Sequence, residues 1–319
     1  MILNSYAKLN LYLEVLKKRK DNYHNIKTVF ERIGLKDTII LKSRPDKKIS
    51  ITCNLPDVPS GHSNLAYRAA RLLQDNFHVH RGVNIKLIKR IPIGAGLGGG
   101  SSNAASVLMG LNKLWKLNIG RDKVVRLAAK IGADVPFFIY NSPFAQGEAR
   151  GDKIKPLKAL SDVRLWHILV VPKIKVSTPF IYKKWDSFKA LRLVPLNKNR
   201  HLRGLTPIDK CGISKNNYLT GLTRPKCNVK ILIHALKENQ FSLISRALFN
   251  SLEQITANLY PQINSSKEKL SSLGVKSVLM SGSGPAVFGV VYSRKEAVLL
   301  YRQLGRENRL WQVFVVRTV

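Results

Sequence analysis

The sequence predicts a two-domain protein in which each domain combines α-helices with β-strands, and the domains meet around residues 150–165. The chain opens with an alternating pattern that is typical of a strand. A glycine-rich segment followed by a helical pattern lies near residue 100, and a new series of strands and helices begins near Val163. A chain of 319 residues with 45% hydrophobic content is long and apolar enough for one large or two ordinary domains with a substantial core.

The first strand separates apolar from polar side chains between residues 7 and 15. One face carries Ala7, Leu9, Leu11, Leu13 and Val15, and the other carries Lys8, Asn10, Tyr12 and Glu14. Alternate side chains of a strand lie on the same face, so Lys8 and Asn10 are expected to point the same way, into a cleft. On pattern alone, a single lysine on a polar strand face is more often solvated.

The rest of the chain alternates further strands and helices. Apolar spacing in the first half predicts strands over residues 38–41, 49–52 and 83–88 and helices from Ser63, over 101–115 and over 122–131. We expect the last of these helices to end at Gly132 in a left-handed cap. The second half predicts a buried strand in VRLWHILVVP, helices over about 229–248 (with a break), 252–273 and 295–304, and strands in SVLM, AVFGVVY and QVFVVRT. Residues 183–230, with twelve Lys or Arg against two Asp, predict a loop-rich basic insertion.

The net charge is unusually positive. Fifty-four Lys and Arg against 19 Asp and Glu give a formal charge of +35, which attracts anions such as nucleotides, phosphosugars and nucleic acids. A nucleic-acid-binding protein therefore stays an alternative. The lysines are spread through helices and loops and are not set among aromatic residues in an RNA-binding motif, so we expect no specific nucleic-acid partner.

Membrane and secretion signals are not found in the sequence. No apolar run reaches the roughly 18 residues that a membrane span needs, and the N-terminal segment lacks the pattern of a signal peptide. Cys53, Cys211 and Cys227 lack the Cys-x-x-Cys spacing of a zinc site, and they suggest no disulfide framework. We therefore expect a cytoplasmic protein with buried free thiols and no membrane partner.

The segment RIPIGAGLGGGSSNAASVLMGL, residues 90–111, holds five glycines within seven positions. Glycines let the backbone approach a ligand closely, and a helix start that follows them binds anions; Ser101 and Ser102 can cap that helix. Gly94, Gly96 and Gly99 fit the G-x-G-x-x-G pattern of dinucleotide-binding domains, but the helix leads to another helix and not to the required strand. The Walker A pattern is absent too, so the segment predicts a phosphate-binding loop of another class.

This loop, PIGAGLGGGSSNAA, resembles the Pro-x-Gly-x-Gly-Leu-Gly-Ser-Ser-x-Ala loop of the GHMP small-molecule kinases, a family named for galactokinase, homoserine kinase, mevalonate kinase and phosphomevalonate kinase. The blocks AKLNLYLEVLKKRKDNYHNIKTVF and VLMSGSGPAVFG are similar to two other motifs of that family, and IGADVPFF and NSLEQITANLYPQI match as well. The extra glycine resembles one branch, which phosphorylates a methylerythritol linked to cytidine diphosphate in non-mevalonate isoprenoid precursor biosynthesis. The resemblance spans nearly the whole chain except about residues 183–230.

The resemblance implies an α+β fold with two GHMP kinase domains. Residues 1–158 would form the ATP-binding domain, an α/β domain similar to a ribosomal protein, and residues 159–319 a ferredoxin-like domain. It also implies ATP as phosphate donor, Mg²⁺ as cofactor and a small-molecule alcohol as acceptor, with the chain acting as a monomer or homodimer. A family member that phosphorylates another small alcohol is a further alternative. A simple alcohol has no nucleobase, however, and so needs no aromatic side chains to stack on one.

The resemblance also assigns roles to individual residues. Asp134 would take the proton of the acceptor hydroxyl beside Lys8, although pattern alone makes this aspartate a cap or turn former. The substrate would be bound by Asn10, Tyr23, His24 and Tyr182, with the two tyrosines stacking on the faces of cytosine and the histidine bonding its edge. ATP would be bound by Pro92, Gly94, Ala95, Gly96, Leu97, Gly98, Gly99, Gly100, Ser101 and Ser102, with Asn64 facing adenine and Ser102 also contacting Mg²⁺.

Two departures from the family pattern stand out. Asn22 replaces the usual glycine of Asp-Gly-Tyr-His, and asparagine tolerates the left-handed backbone that this turn would need. The segment FAQGEARGD, residues 144–152, is longer than the usual pattern, so no role is assigned to its residues. The Ser-Gly-Ser-Gly-Pro turn at residues 281–285 is either a simple hairpin turn or, as the resemblance implies, a loop that packs beside the phosphate loop.

Overall fold

The computed structural model describes residues 1–193, 228–307 and 310–319. The strands are β1 (Ile2–Lys18), β2 (His24–Arg44), β3 (Ile49–Cys53), β4 (Gly82–Ile88), β5 (Phe144–Glu148), β6 (Lys153–Pro156), β7 (Trp166–Pro172), β8 (Phe249–Asn250), β9 (Ser277–Met280), β10 (Val287–Val291) and β11 (Trp311–Arg317). The helices are α1 (Leu65–Phe77), α2 (Gly99–Leu114), α3 (Arg121–Ile131), α4 (Val135–Tyr140), α5 (Thr178–Leu193), α6 (Val229–Lys237), α7 (Phe241–Ala247), α8 (Glu253–Leu259), α9 (Pro261–Ser272) and α10 (Arg294–Glu307). No helix in these ranges is both long and apolar enough to span a membrane.

The larger sheet is built on the antiparallel pair β1 and β2. Their register runs from Ile2 opposite Ile40 to Lys18 opposite His24. β2 is long enough to pair with β5 through its first half and with β4 through its second, so the strand order is β3-β4-β2-β1-β8, with β5 and β6 branching from β2. α2 packs across β1 and β2. Both faces of β1 are covered, because the side chains on its polar face are also buried.

The smaller sheet has the strand order β11-β7-β10-β9, and all its neighbours are antiparallel. In chain order these strands are the fourth, first, third and second of the domain. Helices follow the first strand and separate the third from the fourth. This is the β-α-β-β-α-β arrangement of a ferredoxin-like domain. The predicted combination of an α/β half with a ferredoxin-like half is confirmed.

Contacts between the two halves go beyond the linker. β8 belongs to the second half of the chain, yet it pairs in parallel with β1 at Tyr12 and Leu13. On the other side of β1, the buried carboxylate of Glu31 on β2 accepts a hydrogen bond from Thr318 (2.6 Å) and lies 2.9 Å from Nε2 of His167 on β7. These contacts hold the smaller sheet against the larger one.

Three predictions of where helices and loops begin or end are wrong. The helix expected over residues 252–273 is divided into α8 and α9, because Pro261 cannot donate the hydrogen bond that would continue α8. Gly132 ends α3 with an extended φ of −177°, which any residue adopts, so it forms no left-handed cap. The segment expected to be a loop from residue 183 begins as helix, since α5 continues to Leu193.

Some predictions fall outside the described ranges. The remainder of the basic segment, residues 194–227, is one of them, and it includes Cys211 and Cys227. Cys53 is half-buried at the end of β3 and is a free thiol.

We expect the change of Gly82 to alanine to destabilise the protein. A Cβ at Gly82 would lie 2.1 Å from the carbonyl oxygen of Lys48 and 2.5 Å from that of Asp46. Because these are backbone atoms, the β2–β3 connection would have to shift, and Gly82→Ala should lower the free energy of unfolding by about 2 kcal/mol. Urea unfolding followed by circular dichroism measures this difference.

Gly305→Ala in α10 is the matched control. A Cβ at Gly305 meets nothing within 4 Å, and alanine is the better helix former, so stability should be unchanged or higher. Equal stability of the two variants would contradict the close approach at Gly82.

Candidate active site

A cleft of about 1030 Å³ lies where the glycine-rich loop, the start of α5 and the β9–β10 turn meet. Among the residues predicted for the site, Ser102 alone does not line this cleft. The predicted residues that do line it are Lys8, Asn10, Tyr23, His24, Asn64, Pro92, Gly94, Ala95, Gly96, Leu97, Gly98, Gly99, Gly100, Ser101, Asp134 and Tyr182. The fold therefore brings together residues from five separate parts of the sequence: residues 8–24, 64, 92–101, 134 and 182.

The glycine-rich loop wraps around the N-terminus of α2. Gly94, Gly96 and Gly98 have φ values of +68°, +75° and +70°, which glycine adopts without strain. Gly98 is the N-cap of α2, and no side chain caps the helix, so the predicted capping by the two serines is not observed. The first N–H groups of α2 thus point to the cleft without a side-chain acceptor, as in helix termini that bind phosphate.

The turn formed by residues 281–285 packs directly against this loop. The Ala286 N–H donates to the carbonyl of Ala95 (3.2 Å), and the hydroxyl of Ser281 donates to the carbonyl of Gly96 (3.3 Å). A Cβ at Gly96 would lie 2.3 Å from the Ser281 carbonyl oxygen. The turn therefore joins two strands and also forms one wall of the loop, which requires glycine at position 96.

A buried polar network supports the loop from behind. The fully buried Asp37 accepts hydrogen bonds from the N–H groups of Arg90 (2.7 Å) and Ile91 (2.9 Å), and it forms an ion pair with Lys89. Lys89 also donates to Asn103 on α2 (3.1 Å), and Asn103 donates to Asp37 (2.9 Å). This network fixes where the strand–loop connection leaves β4 and where α2 begins.

Ser102 belongs to the same buried layer. It is 1% exposed, and its Oγ accepts a hydrogen bond from Ser5 (2.7 Å). No group of three or more His, Cys, Asp or Glu that suits a metal ion occurs within the described part of the chain. Mg²⁺ commonly keeps waters and phosphate oxygens as ligands, so the protein side needs few. The metal contact of Ser102 stays a prediction.

Lys8 and Asp134 form the ion pair at the centre of the cleft. Lys8 Nζ lies 3.5 Å from Asp134 Oδ2 and 5.5 Å from the centre of the Phe30 ring, and it donates to the side chain of Asn10. Asp134 occupies the N-cap position of α4, but its side chain makes no capping hydrogen bond, contrary to its most common role. With a third of its side chain exposed, the carboxylate is accessible to a ligand in the cleft.

Asn10 links the ion pair to its surroundings. Its side-chain Nδ2 donates to Thr28 Oγ1 (2.8 Å), whose hydroxyl in turn donates to the carbonyl of Tyr12 (2.6 Å). The Asn10 amide oxygen is thereby oriented toward Lys8, and the polar face of β1 forms the floor of the cleft. The predicted common direction of Lys8 and Asn10 agrees with this geometry.

His24 and Tyr182 meet at the other end of the cleft. Their ring centres are 5.2 Å apart with planes tilted by 30°. Burial raises the pKa of the Tyr182 hydroxyl far above its usual range, and the nearby Asp134 carboxylate adds to the rise. The hydroxyl therefore stays protonated at neutral pH and can donate a hydrogen bond.

Tyr23 lies at the rim of the cleft and is about half exposed. The turn before it is the one in which Asn22 replaces glycine, and Asn22 has a φ of +63°, as expected for asparagine in a left-handed turn. The guanidinium of Arg150 lies 5.1 Å from the centre of the Tyr23 ring. Arg150 comes from the segment for which no role was predicted, and it also lines the cleft.

Asn64 takes part in the local fold. Its Oδ1 accepts a hydrogen bond from Ala66 N–H (2.8 Å), which caps α1, and its Nδ2 donates to the Pro59 carbonyl (2.7 Å). The amide keeps a second N–H and a second lone pair, so a contact of Asn64 with adenine would not require breaking either bond.

Sequence reasoning also missed Asp186, which touches the predicted site directly. Asp186 on α5 lies 2.6 Å from His24 Nε2 and also lines the cleft. It falls in the basic segment, from which no functional residue was expected. Its spacing of four residues after Tyr182, one helical turn, was the available signal once α5 was recognised as a helix.

Two family models match the chain. The model described as GHMP kinases N terminal domain matches residues 64–142, and the model described as GHMP kinases C terminal matches residues 232–309. The first covers the glycine-rich loop and Asp134, and the second covers the β9–β10 turn.

Curated relatives resemble nearly the whole chain. Over 317 residues, the chain is 34% identical to the 4-diphosphocytidyl-2-C-methyl-D-erythritol kinase of Acetivibrio thermocellus, with 99% of this chain and 98% of the relative covered. It is 37% identical to the protein of the same name from Geobacillus sp. (strain WCH70), with 99% and 96% covered, and 35% identical to that of Bacillus subtilis (strain 168), with 98% and 95% covered.

Solved structures show the same similarity. A crystal structure of 4-(cytidine 5'-diphospho)-2C-methyl-D-erythritol kinase superposes with a TM-score of 0.73 at 29% identity and covers 99% of both chains. A crystal structure of L. major mevalonate kinase in complex with R-mevalonate superposes with a TM-score of 0.70 at 14% identity, over 100% of this chain and 95% of that one. At that identity the second match shows a common fold only.

Removing the carboxylate behind the loop should be costly. Asp37→Ala leaves the Lys89 ammonium buried without its partner, so we expect the free energy of unfolding to fall by about 3–5 kcal/mol, measured by urea unfolding. The double variant Asp37→Ala/Lys89→Met removes both charges and should be less destabilised than Asp37→Ala alone. A double variant as unstable as the single one would show that the unpaired charge is not the cause.

Proposed function

Because the chain belongs to the GHMP kinase family, we propose that it transfers the γ-phosphate of ATP to the 2-hydroxyl of 4-diphosphocytidyl-2-C-methyl-D-erythritol, a step of non-mevalonate isoprenoid precursor biosynthesis. The observation that carries this proposal is that one cleft contains the glycine-rich loop, the Lys8–Asp134 ion pair and the His24–Tyr182 ring pair. The relatives that cover nearly the whole chain carry the name of this kinase.

The glycine-rich loop is the proposed site of the ATP phosphates. Three left-handed glycines let the backbone curve around an anion, and the N-terminus of α2 directs N–H groups and a positive partial charge toward it. Mg²⁺, when bound, neutralises charge on the phosphates, with Ser102 as its predicted protein contact. Because Ser102 is the one protein contact predicted, the phosphates would supply most of the ligands of Mg²⁺.

Asp134 is the proposed base for the acceptor hydroxyl. Transition states of phosphoryl transfer are loose, so the protein contributes mainly by positioning the acceptor and accepting its proton. Lys8 attracts one carboxylate oxygen at 3.5 Å and is itself held by Asn10, which fixes the direction of the carboxylate. The other oxygen is left to accept the proton of the hydroxyl.

The far end of the cleft is the proposed site of the cytosine base. Tyr182 offers an aromatic face, Tyr23 lies at the rim, and His24 offers a ring nitrogen. Stacking of a base on an aromatic side chain contributes about 1–3 kcal/mol. An acceptor alcohol without a base would leave this end of the cleft unused, which favours the cytidine-linked substrate over a simple alcohol.

The proposal also covers the domain boundaries, the cellular location and the oligomeric state. It divides the chain into an ATP-binding domain, residues 1–158, and a second domain, residues 159–319, and it has the protein act in the cytoplasm as a monomer or homodimer. The scattered cysteines, without Cys-x-x-Cys spacing, support the cytoplasmic location. Nucleic-acid binding through the +35 charge is not favoured, because the relatives that cover nearly the whole chain are named as kinases.

Replacing the proposed base should abolish most activity. Asp134→Asn keeps the shape but cannot accept the hydroxyl proton, so we expect kcat to fall by at least about 100-fold with a smaller change in KM. The assay measures ATP-dependent phosphorylation of 4-diphosphocytidyl-2-C-methyl-D-erythritol. The matched control is Asp122→Asn, an exposed aspartate in the first turn of α3, outside the cleft.

Two results would count against this assignment. A wild-type protein inactive on this substrate would remove the proposed function. Activity of Asp134→Asn within tenfold of the wild type would remove Asp134 as the base.

Removing the aromatic face should weaken binding of the base selectively. Tyr182→Ala is expected to raise the KM for the cytidine-linked substrate about tenfold while leaving the KM for ATP within about twofold, since only the former is proposed to stack there. Phe180→Ala serves as control, because Phe180 lies on α5 but does not line the cleft. A parallel rise in both KM values would argue against a base site at Tyr182.

A further inference from the structure

The carboxylate of Asp186 joins three elements at the end of the cleft. Its Oδ1 lies 2.6 Å from Nε2 of His24 at the start of β2, and its Oδ2 lies 2.7 Å from Nζ of Lys18 at the end of β1. Asp186 follows Tyr182 by four residues, so both side chains lie on one face of α5. The helix that carries the aromatic face therefore also carries the hydrogen-bond partner of the histidine.

The ionisation of Asp186 determines which nitrogen of His24 carries the proton. Burial acts to raise the pKa of Asp186, but the hydrogen bonds from Lys18 and His24 lower it below its ordinary value. An ionised carboxylate only accepts hydrogen bonds, so Nε2 of His24 must be the donor. In a neutral imidazole, Nδ1 is then an acceptor.

Lys18 balances the charge of the Asp186 carboxylate, which also contacts His24. Within the described residues, His24 has no second side-chain hydrogen bond that would compete for Nδ1. His24 itself is 5% exposed, and it lines the cleft next to Tyr182 and Asp186.

We infer that Asp186 is a positioning residue that fixes His24 in the Nε2–H form. The site thereby selects a pyrimidine with an amino group over one with a carbonyl group at the same ring position. The inference rests on the proposed function, which places cytosine at this end of the cleft. The amino group at C4 of cytosine is a donor and matches an acceptor at Nδ1, whereas uracil has a carbonyl oxygen there and would face it acceptor to acceptor. Sites built around such a hydrogen bond reject analogues that cannot make it.

The protonation of His24 can be measured without any ligand or activity. Nitrogen NMR of protein labelled with ¹⁵N-histidine reports which ring nitrogen is protonated, and a His24→Gln variant identifies the signal of His24 among the seven histidines. We expect protonated Nε2 and unprotonated Nδ1 in the wild type, and a mixture of the two forms in Asp186→Asn. A wild-type His24 protonated at Nδ1 would overturn the inference.

Base preference is tested with cytidine 5'-diphosphate and uridine 5'-diphosphate as probes in calorimetric titrations. We expect Asp186→Asn to lower the preference for the cytidine nucleotide about tenfold, the contribution of one oriented hydrogen bond. Asp186→Glu keeps a charged acceptor and should retain most of the preference. The control Asp75→Asn makes the same chemical change in an exposed ion pair with Arg71 on α1 and should retain the wild-type preference.

The outcomes separate this inference from the proposed function. If the wild type and Asp186→Asn prefer the cytidine nucleotide equally, the inference fails and the proposed function stands. If the wild type binds neither probe and does not phosphorylate the cytidine-linked substrate, the proposed function fails, and the inference fails with it. If Asp186→Asn does not fold, two other measurements still test the inference. It is overturned if Asp186→Glu loses the preference for the cytidine nucleotide, or if Nδ1 of His24 is protonated in the wild type.

Discussion

The candidate site depends on two main-chain hydrogen bonds made by β1. The N–H of Lys8 donates to the carbonyl of Leu97 in the glycine-rich loop (3.0 Å), and the N–H of Asn10 donates to Ser281 Oγ in the β9–β10 turn (3.2 Å). One strand thereby anchors a loop from each half of the chain two residues apart. The side chains of the same two residues form the floor of the cleft. β1 therefore fixes the positions of the phosphate loop, the β9–β10 turn and the Lys8–Asp134 pair relative to one another.

Three acidic residues in and behind the cleft each form an ion pair with a lysine, although the chain has an excess of positive charge. Asp37 pairs with Lys89 behind the loop, Asp134 with Lys8 in the cleft, and Asp186 with Lys18 at its far end. Each pair holds a carboxylate in a defined direction, and the surrounding excess of Lys and Arg still gives a surface that attracts anionic ligands. The net charge therefore supports substrate attraction, while local pairing gives the geometry.

Much of this arrangement can be predicted from the sequence, and the exceptions have physical causes. The alternation of β1 and the run of glycines are local patterns, so they predict the floor of the cleft and the phosphate loop. The sequence does not predict a strand over the first part of β2, because buried polar residues such as Thr28, Glu31 and Asp37 interrupt its apolar pattern. The contact of Asp186 with His24 joins residues 162 positions apart, which no local pattern reveals. The order of the ferredoxin-like strands follows from family resemblance and not from periodicity.

The short strand β8 makes the order of synthesis matter for this fold. It covers the outer edge of β1 at Tyr12 and Leu13, yet the ribosome makes it long after β1 has emerged. Until then, the nascent chain presents a strand edge whose N–H and C=O groups are open to pairing with other chains. A fragment ending at residue 158 would keep that open edge permanently and would tend to associate edge to edge. The first sheet is thus completed only after residues 249–250 of the 319-residue chain have been synthesised.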